Sequence, residues 1–182
     1  MAAVTPTAAY RHFAGKEELL EAAKQEALDR LLTAMNTELR DQPAREDPLA
    51  RALGKLTAIG RGYVRFALAD QGLFRTAFSC DGLDMPSGQS TDGDSEGNAF
   101  AVLVAVMDEL VEVGYLPQQR RAMAEFAAWS TVHGLAMLFL DGPMRHAEHE
   151  VREEAMARSM LIFAEGLAGT TLTADLRAII TS

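Results

Sequence analysis

The stretch 118–140 constrains this chain more than any other. After Ala122 it is apolar nearly all round, with Phe126, Trp129, Val132, Leu135, Met137, Leu138 and Phe139. Asp141-Gly142-Pro143 ends it, so the spacing predicts one long helix. A helix that is apolar on every side has to be covered on every side. A chain of 182 residues buries roughly 70% of its unfolded surface. Complete cover is therefore most easily met when a second subunit supplies part of it. The longest apolar run without charge, 126–140, is too short to span a bilayer comfortably and holds His133.

The remaining pattern is helical as well. Over 16–39 apolar residues fall at Leu20, Ala23, Ala27, Leu31, Met35 and Leu39, three or four steps apart, and Leu28 and Leu32 widen the stripe. A connector with two prolines follows at 41–48, then a second helix over 49–69. Gly60 and Gly62 lie inside that helix and predict a bend or a close helix contact. A break at 70–72 precedes a short helix over 73–78. The stretch 81–98 is rich in glycine, serine and acidic residues and reads as a flexible loop, either a lid or a tolerated insertion. A helix over 99–113 stops at Gly114 and Pro117. After the apolar helix, a further one spans 147–168 with Val151, Ala155, Ile162 and Phe163 inward, and a short helix is expected over 174–180. No stretch alternates as a strand would, so the fold class is all-α.

The N-terminal stretch 4–16 speaks most directly about function. Thr5 can cap a helix whose first position is Pro6, which gives up no hydrogen bond there. That helix ends near Phe13, and Gly15 can cap the next one, with Glu17 and Glu18 in its first turn. The result presents small residues followed by Tyr10, Arg11 and His12. Small side chains let a helix sit deep in a DNA major groove, while Thr, Tyr, His and Lys reach base edges or phosphates. The net charge of −9 argues against a wholly nucleic-acid-binding surface but leaves room for a local one. Cys80 is the single cysteine, which excludes an internal disulfide and suits a reducing, cytoplasmic setting.

Ala3-Val4-Thr5, then Pro6 to His12, Tyr10-x-His12-Phe13 and Lys16-Glu17-x-Leu19 resemble the recognition end of the helix-turn-helix in tetracycline-repressor (TetR) family transcription regulators. The resemblance implies that Thr5, Thr7, Ala8, Tyr10, His12 and Lys16 face DNA, with Val4, Phe13 and Leu19 in the core. Trp129-x-x-x-His133-Gly134 is similar to the C-terminal domain of a subgroup named for its Trp-His-Gly (WHG) signature, and Tyr63-x-x-Phe66 with Phe74-Arg75 to an upstream segment of it. The resemblance implies a TetR-like all-α chain. It has a partial helix-turn-helix over 1–20, with the recognition helix about 6–13. A helical ligand-binding and dimerisation domain then occupies 21–182. The implied partners are double-stranded operator DNA, a small hydrophobic effector and a second copy, paired through helices about 118–140 and 147–168, with no membrane and no cofactor. The family carries one helix and most of a second before this point, so Met1 is expected to lie inside the true reading head. A chain complete as written would bind operator weakly or not at all.

Candidate ligand-binding residues are Phe66, Phe74, Phe78, Met107, Trp129 and His133, each of which also suits a core position. Gly134 most simply permits close helix packing. Cys80 beside the acidic loop has only Arg75 nearby to lower its pKa. No Ser-His-Asp spacing, phosphate loop or paired-carboxylate pattern is present, so no enzyme is expected. His146, His149 and Glu153 have zinc-like spacing, or form a solvated turn. The expected function is a ligand-responsive DNA-binding regulator, a repressor released from DNA by its ligand. The alternatives are a dimeric helical ligand-binding protein without DNA activity and a helical metalloprotein.

Overall fold

A computed structural model describes residue 13 and the ranges 15–78 and 98–169. Among these residues there are six α-helices and no strand: α1 (Lys16–Arg40), α2 (Pro48–Ala69), α3 (Gln71–Ala77), α4 (Ala99–Glu112), α5 (Ala124–Leu140) and α6 (His149–Ala168). The expected recognition helix over 6–13 apart from Phe13, most of the expected loop 81–98, Cys80 and the expected tail helix over 174–180 lie outside the described residues. None of the described helices is long and apolar enough to cross a membrane.

Local chemistry explains the boundaries. Gly15 precedes α1 in extended backbone, Glu17 and Glu18 occupy the first turn and Arg40 the last, each with the sign the helix dipole favours. Asp47 caps α2, its carboxylate accepting from the Ala50 amide at 2.8 Å, and Pro48 takes the first helical position. Asn98 caps α4 in the same way, accepting from the Ala101 amide at 2.7 Å. Gly114, at φ 76°, ends α4, and the Leu110 carbonyl accepts from both Tyr115 and Leu116 amides at 3.0 Å.

α2 is the axis of the described fold and packs against each of the other five helices. Gly62 makes this possible on the α1 side. A Cβ there would lie 2.7 Å from the Met35 Cα and 2.9 Å from the Ala34 carbonyl oxygen, so two backbones meet with no side chain between them. Gly60 allows a similar approach of α6, since a Cβ would overlap the end of Met160. The two glycines therefore mark close contacts. Lys55 Nζ ties α2 to Glu109 of α4 at 2.6 Å, and Arg75 of α3 holds Asp141, at the end of α5, at 2.7 Å.

Three expectations are corrected. The apolar helix starts at Ala124, not Gln118. Gln118–Arg120 form a 3-10 turn and Met123 takes a left-handed conformation at φ 64°. Arg121 holds this corner by reaching Asp108 of α4 at 2.6 Å and Glu125 of α5 at 2.5 Å. Val151 and Ile162 do not face inward. They are 50% and 62% exposed, and Met156, Met160 and Leu167 are the buried residues of α6. Apolar residues occur on both faces of α6, so periodicity alone has no basis for choosing between them. Gly134 is exposed and a Cβ there would meet nothing within 4 Å, so it mediates no close packing among the described residues.

Candidate ligand cavity

Five of the helices and the residue ending α3 enclose a cavity of about 320 Å³, at the small end of the range for small-molecule sites. Leu28, Leu31 and Met35 of α1 form one wall, and Leu56, Ile59 and Tyr63 of α2 another. Phe78 follows α3, Phe100 and Leu103 come from α4, Trp129 and Val132 from α5, and Met160 and Phe163 from α6. Glu21 and Lys24, nearly one turn apart on α1 and opposite in sign, are the charged residues of the lining. The lining therefore carries no net charge.

One polar network borders this apolar space. Trp129 Nε1 donates to the Tyr63 hydroxyl at 3.1 Å, and that hydroxyl pairs with His133 Nδ1 at 2.8 Å. Trp129 and His133 are four residues apart on α5, so both project from one face toward Tyr63 of α2. An indole N–H only donates, so Tyr63 accepts from Trp129, and the direction of its bond with Nδ1 is set by which nitrogen of the imidazole carries the proton. Burial pushes the Tyr63 phenol well above its usual pKa, partly offset by the Trp129 hydrogen bond. Burial also holds the His133 pKa below its usual value. Phe74 stacks on the imidazole at 5.5 Å between ring centres and Phe78 meets it at 5.2 Å, an apolar setting that suits the neutral ring.

The candidates named from sequence separate into groups. Phe78 and Trp129 line the cavity. His133 does not line it but bonds to Tyr63, which does. Phe66, Phe74 and Met107 are at most 4% exposed and belong to the core, where they support the cavity without lining it. Of the proposed DNA-facing residues, Lys16 is exposed at the start of α1. Thr5, Thr7, Ala8, Tyr10 and His12 lie outside the described residues. Arg145 Nε donates to His146 Nε2 at 2.8 Å, and among the described residues no three His, Cys, Asp or Glu side chains gather as metal ligands would.

Tyr63 falls on the apolar stripe of α2 and in the segment quoted for the resemblance, yet it is not among the candidate site residues named from sequence. A tyrosine on an apolar helical stripe needs a partner for its hydroxyl, and that requirement is the signal that could have found it. The α1 wall leaves no such signal, because its cavity residues fall on the same stripe as its core residues.

No curated protein matches the chain. A solved structure described as a protein with unknown function from Rhodococcus sp. RHA1 resembles it with a TM-score of 0.68 and 23% sequence identity, covering 92% of this chain and 81% of that one. At that identity the likeness concerns the fold. The family model described as Tetracyclin repressor-like, C-terminal domain, matches residues 56–165, a span that includes Tyr63, Trp129 and His133. With more than half of its length matched, the chain belongs to the tetracycline-repressor-like family of regulators.

Proposed function

We propose that the protein is a ligand-responsive, DNA-binding repressor that a small hydrophobic effector releases from operator DNA. One observation carries the reading: α1 belongs to two places at once. Leu28, Leu31 and Met35 form a wall of the cavity, while the same helix begins at Lys16, directly after the stretch that resembles a recognition helix. A molecule in the cavity acts on α1, and α1 carries Thr5, Thr7, Ala8, Tyr10, His12 and Lys16 toward or away from the groove. On this reading residues 1–20 contact DNA, and 21–182 bind the effector and pair two copies.

Pairing runs through the outer faces of α5 and α6. Met137, Leu138, Val151, Leu161 and Ile162 are between 38% and 62% exposed on these two helices, and a second copy laid on them would take these large apolar side chains out of water. Two recognition helices held by such a dimer must lie about one DNA turn apart to meet two half-sites. Effector and operator then favour different separations and oppose each other, with a coupling of about 1–3 kcal/mol. The setting is the cytoplasm, and the role is binding, not catalysis.

The test is gel retardation on DNA flanking the coding region, using the product of the whole reading frame, including any in-frame sequence upstream of Met1. Specific retention, weakened roughly 5- to 150-fold by saturating phenylcyclohexane, is expected. Unchanged retention with the cavity filled would sink the coupling. Probe binding with no retention at all would leave a dimeric ligand-binding protein without DNA activity.

A further inference from the structure

The Tyr63–His133–Trp129 network has more than one way to satisfy itself. Three donor hydrogens are present: the indole N–H, the phenol O–H and one imidazole N–H. In the first arrangement Trp129 donates to Tyr63 and Tyr63 to His133 Nδ1. The imidazole proton on Nε2 then points away from the network. His133 is only half-buried, and solvent is the partner this arrangement leaves to Nε2. Every donor is used, and one lone pair of the Tyr63 oxygen stays idle. An idle acceptor is tolerated more readily than an idle donor.

The second arrangement places the imidazole proton on Nδ1. His133 and Trp129 then both donate to the Tyr63 oxygen and fill its two lone pairs. The phenol proton is left without a protein partner, on a residue that lines the cavity. In an empty apolar cavity this strands a donor and is disfavoured. With a hydrogen-bond acceptor in the cavity it satisfies every group at once. The rest of the lining adds no comparable polar group apart from Glu21 and Lys24, whose charges oppose each other.

We propose that Tyr63 reads a single hydrogen-bond acceptor, a carbonyl or ether oxygen, on an otherwise apolar and uncharged effector. His133 changes tautomer to release the Tyr63 proton for it. The inference rests on the cavity being the effector site. The proton balance is closed: Tyr63 keeps its proton and turns it toward the ligand, while His133 loses one proton from Nε2 to water and takes one from water at Nδ1. No net proton is gained or released. Trp129 holds the Tyr63 oxygen in place in both arrangements.

The probes are 4-phenylcyclohexanone and phenylcyclohexane, which differ by one carbonyl. Trp129 is the only tryptophan in the chain, so its fluorescence reports binding at this network. The ketone is expected to bind roughly 5- to 10-fold more tightly than the hydrocarbon, the contribution of one neutral hydrogen bond. Tyr63→Phe should bring the affinities of ketone and hydrocarbon together, abolishing the difference. Nitrogen-15 spectra of labelled histidine give a readout that needs no variant: ketone, and not hydrocarbon, should convert His133 Nδ1 from unprotonated to protonated. Equal affinities in the unaltered protein would overturn the proposal, as would a ketone preference that survives Tyr63→Phe or His133 nitrogens indifferent to the ketone. In each of those cases the cavity would remain a binding site. Failure of both probes to bind would overturn the cavity reading and this proposal together.

Discussion

α2 and α6 have similar lengths, 22 and 20 residues, and opposite circumstances. Ten residues of α2 are buried, and every other described helix touches it. Three residues of α6 are buried, while Val151, Leu161 and Ile162 stand at least 49% exposed. Both carry enough apolar residues for a core helix. The difference lies in what covers them: α2 is enclosed by its own chain, and α6 is half enclosed. Apolar content alone therefore does not say whether a helix is a centre or an edge. Close-approach glycines give the better guide, since Gly60 and Gly62 let two neighbours press onto α2.

The comparison is most sharply tested at Gly62. A valine there would drive its Cβ into the Met35 and Ala34 backbone, which cannot rotate aside. Gly62→Val is expected to lower stability by about 3 kcal/mol or more, read from urea denaturation. A loss below about 1 kcal/mol would show that α1 and α2 are not in tight backbone contact.

Ile162→Glu probes the edge. Ile162 is 62% exposed, so the single-chain fold should survive with unchanged far-ultraviolet circular dichroism. Association should weaken on the order of 100-fold, seen as monomer in sedimentation at concentrations where the unaltered protein pairs. A dimer of undiminished strength would place the interface elsewhere.

The smallest effect concerns the buried hydroxyl of α2 and its partner. Burial sets the folded pKa of His133 below its unfolded value, so the unfolded chain takes up the proton more readily. Stability is therefore complete above the unfolded value of about 6.5 and falls as pH drops below it. The urea midpoint should decrease modestly between about pH 7.5 and 5.5, and His133→Asn should flatten that decrease. The Arg75–Asp141 pair does not interfere. Its carboxylate is held below the usual range chiefly by the Arg75 hydrogen bond, so its contribution is lost only in more acidic solution.

The fold is legible in the sequence because helix signals here are local and strong. Asp47-Pro48 and Gly114 punctuate the chain where the helices begin and end. The start of α5 is not legible, since it depends on Arg121 bridging two helices and on a left-handed Met123, neither of which leaves a pattern in apolar spacing. The site is only half legible for a similar reason. Trp129 and Phe78 line the cavity, yet Phe66, Phe74 and Met107 have the same chemistry and lie in the core. A hydrophobic side chain does not reveal whether protein or ligand will touch it. The hydroxyl of Tyr63 is more informative, because it must find a partner, and the partner it finds is His133.

The meeting of α1 and α2 at Gly62 has a mechanical corollary. Where main chain rests on main chain there is no rotamer to change and no slack to take up, so that point behaves as a fulcrum. Met35 sits on it, and Lys16 lies about 28 Å away along the helix at 1.5 Å per residue. A tilt of about 5° there displaces Lys16 by roughly 2.5 Å, the arm being a rigid helix of that length. Leu28 and Leu31, between the two, line the cavity, so under the proposed function an occupant would push there. A small swelling near the pivot becomes a larger stroke at the tip.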